Sequence, residues 1–357
     1  MGIKKTIRQI VYSTFESRYR KHSVALESKN IHGLHLSELN TEEQKVVRNL
    51  WGIKDYTYHK LFKTLATFDQ RYVSDGVFLP RILRALNPKE LAMVFEEKNL
   101  YSIIYSQIPQ PKSIVSCIRG VCAIDGKSVD YNDALEHLKT YSGFIIKPTH
   151  DSTQGNNVRF IRPSEVDVKS ILLSYGDNFI TQEKLSQSPL TSVFNNTSLN
   201  SFRISTLNIN GRASLCNILF RCGQNGAVVD NGGAGGLMCG VSPEGRFHSF
   251  AYDKFYNRYE TTKEGVRFEG HVIPFMKDIV NLTLKWHTDY LPHLGFAGWD
   301  IALDENNNPV MIEVNLRWPG IQFEQLCSET PLFGDRTEEV IEFVKTHPLR
   351  IMDVISY

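Results

Sequence analysis

No stretch of the 357-residue sequence is apolar for long enough to span a bilayer. No hydrophobic leader core follows the basic start either. The six cysteines, Cys117, Cys122, Cys216, Cys222, Cys239 and Cys327, include no CxxC pair and have no histidine-rich spacing beside them. That argues against a zinc site or a disulfide framework and for reduced thiols in a cytoplasmic protein. The Asn-x-Ser/Thr matches at Asn195, Asn196 and Asn281 therefore carry little meaning. Charge of one sign is also lacking: 40 Lys and Arg against 39 Asp and Glu leave a net charge of +1. A global field for nucleic acid is thereby excluded. GxGxxG, GxxxxGK[ST] and GxSxG are absent, which disfavours dinucleotide-binding, P-loop and nucleophile-elbow readings. Internal repeats and low-complexity linkers are missing too.

What remains is an ordinary globular composition, 41% hydrophobic and 22% charged, in a chain long enough for two or three subdomains. Its most telling stretch is Gly298-Trp299-Asp300-Ile301-Ala302-Leu303 with its return, Val310-Met311-Ile312-Glu313-Val314-Asn315. Polar and apolar residues alternate along both runs, as in half-buried strands. The polar residues between them read as a hairpin turn, with Glu305 to Asn308 as the loop. In that register Asp304 faces Pro309 and Asp300 faces Glu313, and Asn315 shares the face of Glu313. Opposed carboxylates repel. A shared proton or a bound cation compensates such a pair, and the amide oxygen of Asn315 tips the choice to a cation of the Mg²⁺ kind. For a hairpin taken alone, solvated surface charge is the plainer explanation.

Elsewhere, Ile3, Ile7, Ile10, Val11 and Phe15 recur at helical spacing among Lys4, Lys5, Arg8, Arg18, Arg20 and Lys21. This basic amphipathic helix either packs on the protein, the commoner case, or lies on an anionic surface at the inner face of a membrane. Residues 36–96 read as helices, with Asn40 or Thr41 capping the first and Asn87-Pro88 breaking a later one. Strands are expected at 113–115, 143–148, 157–161 and 179–183. A hairpin is expected from Phe202 to Phe220 about Asn210-Gly211, and helices at 271–290 and from Thr337 to Val344. The class is α+β. The expected division is a helical region 1–92, a lysine-bearing lobe 93–182, a larger subdomain with the hairpin 183–334, and a C-terminal helix and tail 335–357.

Lys147 ends an apolar strand before a polar loop with Ser152, Thr153, Gln154 and Gly155, a combination suited to phosphate but common at strand ends. Residues 230–236 form a second, glycine-rich loop. Arg203 projects opposite to Phe202 and Ile204, and Arg317 follows Asn315 by two on the same face if the strand continues. Both suit a carboxylate or phosphate, although a structural ion pair is the commoner fate of an arginine. His287 and His293, near Trp286, read as a helix-end and a loop histidine, and Cys239 beside Gly240 has nothing nearby in sequence to activate it as a nucleophile.

In order, these pieces resemble the ATP-grasp superfamily, and most nearly its sugar-transfer-associated branch, from about Glu97 to Gly334. The resemblance rests on Glu97-Lys98 with Ile108 to Pro111, on Phe144 to Pro148, on Ile180 to Leu185, on Asn200 with Arg203, on Asp230 to Gly233, and on the hairpin. It implies two α+β subdomains clasping ATP, preceded by a mainly helical N-terminal region. It also implies that Lys98 and Lys147 hold phosphates, that Ser152 and Gly155 belong to a phosphate-covering loop, and that Gln182, Glu183, Lys184 and Leu185 form the adenine hinge. Asp300, Glu313 and Asn315 would hold Mg²⁺, two ions, with Mn²⁺ as a substitute. Arg203, Arg317 and Lys147 would be the catalytic set. The implied activity is ligation of a small-molecule or saccharide carboxylate to an amine such as an amino acid, through an acyl phosphate, on a sugar or surface-polysaccharide precursor. A phosphotransferase and a non-catalytic nucleotide-binding module are the alternatives. The lysine loop has one glycine where many relatives have more, and the first ninety or so residues do not look like the usual N-domain.

Overall fold

The computed structural model describes residues 33–149, 157–224 and 235–349, with Thr14, Ser17, Lys21 and 29–31. The basic amphipathic stretch 3–21 as a whole, Ser152 and Gly155 of the lysine loop, and 230–234 of the glycine-rich loop lie outside the described residues.

Helix α1 (Thr41–Trp51) begins at a reciprocal cap: the Asn40 side chain accepts from the Glu43 amide at 2.9 Å, and the Glu43 carboxylate accepts from the Asn40 amide at 2.8 Å. Helix α2 (Thr57–Leu65), a π-helical segment Phe78–Leu83 and α3 (Lys89–Phe95) follow. The predicted break at Asn87 does more than stop a helix. Its side-chain amide donates to Phe296 O and Leu316 O, both at 2.8 Å, and accepts from Phe296 N. It thereby bolts the helical region to the strands beyond it.

The first sheet comprises β1 (Ser113–Ile118), β2 (Val121–Ile124), β3 (Lys127–Val129), β4 (Phe144–Pro148), β5 (Arg159–Ile161) and β6 (Phe179–Gln182). The order is β3-β2-β1-β6-β4-β5, with every pair antiparallel. Helices α4 (Tyr131–Lys139) and α5 (Val168–Tyr175) share an apolar core with it, built on Leu135, Leu138, Phe144, Leu172 and Phe179.

The second sheet comprises β7 (Ser201–Ile209), β8 (Arg212–Cys222), β9 (Leu237–Val241), β10 (Phe247–Tyr252), β11 (Arg258–Tyr259), β12 (Phe296–Leu303) and β13 (Pro309–Asn315), in the order β11-β10-β9-β8-β7-β12-β13. The β7–β8 turn places Asn210 and Gly211 at φ 55° and 75°, the left-handed pair that a two-residue hairpin requires. One face of this sheet packs Phe202, Ile204, Phe220, Trp299 and Ile301 against α6 (Met276–Tyr290). His287 of α6 is a core residue, bonded to Thr206 Oγ1 at 2.7 Å and Leu294 O at 2.8 Å. The other face is partly covered by the N-terminal helices, α7 (Gln322–Ser328) and α8 (Thr337–Thr346), whose cores include Leu207, Phe296, Leu219 and Met238 of the sheet.

Two bulges set which residues share that second face. Asp300 pairs with Glu313 as the hairpin register predicts, but Ile301 pairs with Met311 and Leu303, not Asp304, with Pro309. Ile312 is therefore an extra residue, and the shift lets Met311 and Val314 both enter the core while Glu313 and Asn315 face away from it. In β8, Ser205 pairs with Asn217 and Thr206 with Leu215, so Cys216 is extra. That bulge brings Asn217 and Arg221 to the face of Ser205, Ser201 and Arg203.

Candidate active site

The polar face of β7, β12 and β13 forms a floor with Asp300 at its centre. Asp300 is 2% exposed. It accepts from Arg203 Nε at 2.5 Å and Nη2 at 3.1 Å, from Arg221 Nη2 at 3.0 Å and from Asn315 Nδ2 at 3.3 Å. Burial by itself raises a carboxyl pKa, but the two guanidinium charges outweigh it and hold Asp300 well below the usual carboxylate range. Glu313, across the hairpin, is partly exposed and faces Lys98 Nζ at 3.3 Å. Lys147 is buried, and its charge is felt by Lys98, Glu313 and Asp300 together. Burial, with Lys98 beside it, lowers the Lys147 pKa to about 8 against the pull of both carboxylates. Lys98, Lys147, Arg203, Asp300, Glu313 and Asn315 are thus one cluster.

Like-charge opposition alone does not require a bound ion here, because Arg203, Arg221 and Lys98 already answer the two carboxylates. The case for an ion rests on donor chemistry. Two carboxylates and an amide on one face are hard oxygen-bearing groups of the kind Mg²⁺ takes with few protein ligands. Mg²⁺ bound by so few protein groups keeps positions for water and phosphate. Asn315 as placed turns its amide nitrogen to Asp300 and Gly298 O, and its carboxamide must rotate for the oxygen to serve the same ion.

The turn bearing Lys98 (Lys98–Leu100) joins the two sheets. Asn99 Nδ2 donates to Cys117 O of β1 at 3.0 Å, and the Tyr101 hydroxyl accepts from Val314 N of β13 at 3.2 Å. Glu96 reinforces the second link, accepting from the amides of Leu316 and Arg317 and from Arg317 Nε. This corrects the expectation for Arg317. The strand stops at Asn315, because the next two amides turn to Glu96, and the guanidinium follows them rather than continuing the floor.

The hinge leaves β6 at Gln182, whose side chain donates to Pro111 O at 3.3 Å. The Glu183 amide donates to Lys112 O at 2.9 Å, and Lys184 Nζ lies 4.9 Å over the Phe160 ring. Leu185 is half-buried. Asn200 is scaffold, tying down the preceding loop through Thr191 O at 2.8 Å and Asn195 O at 2.7 Å. Cys239 is buried, and burial pushes its thiol well above the ordinary range, so it is no nucleophile.

Sequence reasoning missed Arg221, Glu96 and Glu324. Arg221 could have been found by matching the polar face of 201–205 to that of 217–221, which demands a one-residue bulge. Glu96 and Glu324 meet the floor only through tertiary packing. Glu324, on α7, is fully buried with Oε1 3.7 Å from Arg203 Nη1, and burial raises its pKa to about 7 despite Arg203.

Two lysines poised over a carboxylate hairpin between two antiparallel sheets make an ATP-grasp architecture. Residues 80–341 match the family described as sugar-transfer associated ATP-grasp, and the chain belongs to it. No curated protein sequence matches. Among solved structures the chain is similar to the biotin carboxylase domain of Hydrogenobacter thermophilus 2-oxoglutarate carboxylase, with 11% identity and a TM-score of 0.45 over 73% of this chain and 48% of that one. It is similar to the biotin carboxylase of Campylobacter jejuni at 11% and 0.47 over 75% and 50%, and to the D-cycloserine synthetase DcsG at 14% and 0.43 over 74% of each. The chain spans about half the length of the two carboxylases.

Proposed function

We propose that this protein is an ATP-dependent carboxylate–amine ligase that joins an amine, such as an amino acid, to a carboxylate on a small molecule or on a saccharide of a surface-polysaccharide precursor. One observation carries the reading: Lys98, Lys147, Asp300 and Glu313 converge on one face beside Arg203. Phosphoryl transfer needs positioning and charge neutralisation more than covalent help, and these residues supply both. Lys98 and Lys147 hold the α- and β-phosphates. Asp300, Glu313 and a rotated Asn315 hold Mg²⁺, one or two ions, or Mn²⁺. With the Glu183 amide bonded to Lys112 O, Lys184 and Leu185 present the hinge to adenine.

A carboxylate oxygen of the acceptor attacks the γ-phosphorus and ADP leaves. The amine then attacks the acyl carbon, phosphate leaves, and the nitrogen's proton passes to the departing phosphate or to water as the amide forms. Arg203 stabilises the acyl phosphate, as its guanidinium suits phosphate oxygens. Arg317, paired with Glu96, is the candidate partner of the acceptor carboxylate.

The test is ADP release against panels of amino acids and uronic acids. Turnover that requires both a carboxylate and an amine supports the proposal. ADP formed with neither, or AMP and pyrophosphate in its place, contradicts it. A stable phosphorylated product without amine dependence marks a phosphotransferase instead.

A further inference from the structure

Arg203 lies between two carboxylates from different elements, and the two are unequally employed. Asp300 of β12 has more donors than it needs: two nitrogens of Arg203, one of Arg221 and one of Asn315. Glu324 of α7 is the converse. It is 0% exposed, and neither carboxylate oxygen has a hydrogen bond. Arg203 Nη1 stands 3.7 Å from its Oε1, just beyond bonding distance, with Ser205 as its other near polar neighbour. A buried carboxylate whose charged partner stands beyond hydrogen-bonding distance is costly, so a closer approach of Arg203 would stabilise it.

Asp300 cannot serve both roles at full strength. As an ion's donor it must give up lone pairs that now hold Arg203, and a guanidinium beside a divalent ion is repelled by it. We propose that Glu324 is the positioning residue that receives Arg203 when Asp300 takes up a metal. By a short movement of its guanidinium, Arg203 passes from Asp300 to Glu324 and stays over the floor, while Asp300 loses the two donors that Arg203 supplied and keeps Arg221. This rests on the reading that the hairpin binds Mg²⁺ with ATP. Without Glu324, Arg203 keeps only the hairpin carboxylates near it and competes with the ion for Asp300.

The experiment is calorimetric titration of a non-hydrolysable ATP analogue at stepped free Mg²⁺, using the full chain, E324Q, E324D, R203M and the double variant R203M/E324Q. E324Q should raise the Mg²⁺ concentration for half-maximal nucleotide binding about tenfold, toward the lower end of the usual range for coupled sites. E324D should restore much of the loss. R203M should need no more Mg²⁺ than the unaltered protein, and adding E324Q to it should change nothing further. An unchanged Mg²⁺ requirement in E324Q overturns the inference. So does an equal shift in the R203M background, which would mean that Glu324 acts on the fold and not through Arg203. Should E324Q fail to fold, R203M decides alone: a raised Mg²⁺ requirement there overturns the competition for Asp300. If the unaltered protein binds no Mg²⁺–nucleotide, the site reading itself fails and the inference falls with it.

Discussion

The two faces of the seven-stranded sheet come from the same strands and do opposite work. Phe202, Ile204, Trp299 and Ile301 point to α6 and join one apolar core. Arg203 and Asp300 alternate with them along the same strands and share the other side with Ser205 and Glu313. The apolar face is forgiving in chemistry and strict in volume. The polar face is the reverse: Arg203 and Asp300 are buried at 8% and 2% exposure, and removing either partner strands a charge. A residue's place in the period-two alternation decides which kind of damage its replacement causes.

The largest effect is expected from Glu313→Gln. Glu313 is partly exposed, so the fold should keep its melting temperature while ADP formation falls about 10³-fold, as when a major electrostatic contact to a transition state is lost. Trp299→Ala is its counterpart on the apolar face. Trp299 is fully buried, and its indole donates to Thr206 Oγ1 at 3.0 Å. The change should cost about 3–5 kcal/mol in denaturant unfolding and leave Mg²⁺–nucleotide affinity largely intact while the protein is folded.

A smaller effect sharpens the contrast within the polar face. With its pKa lowered to about 8, first by burial and then by Lys98, Lys147 loses its charge as the pH passes through that value. Between there and the ordinary lysine value the unfolded chain holds a proton that the folded one lacks, so ligand-free stability should rise with pH. Nucleotide affinity should move the other way, falling above pH 8 as the neutral amine stops pairing with phosphate. Lys147→Met should flatten both profiles, read by thermal melts and titration calorimetry.

Much of the fold was legible in local pattern. The Asn40–Glu43 cap, the Asn87-Pro88 break, the Asn210-Gly211 turn and the alternation about Asp300 are short-range signals, and the structure bears them out. The Asp300–Glu313 pairing was reached from a loop register that is off by one at Leu303, and the Ile312 bulge cancels that error. A bulge leaves almost no local mark; only the demand that Met311 and Val314 both be core exposes it. The helix expected over 271–290 starts at Met276, because 271–275 form a turn segment bonded to Gly245 and Phe247. Strands β2, β3, β9, β10 and β11 are short or irregular and were not read at all. In the site, residues carried by the hairpin and the strand ends could be picked out. Arg221, Glu96 and Glu324 could not, because they become neighbours of the floor only when strands pair or a helix packs on it. Nothing along the sequence shows that Arg317 would turn to Glu96.

In the proposed function the hairpin carboxylates and the two lysines grip one metal–nucleotide between them. Crystals grown with Mn²⁺ and a non-hydrolysable ATP analogue test it most directly, by anomalous scattering. A Mn²⁺ peak shared by Asp300 and Glu313 is expected, with phosphate oxygens against Lys98 and Lys147. A metal seated elsewhere, or a nucleotide whose phosphates lie away from Lys147 while Asp300 still holds both arginines, would contradict it.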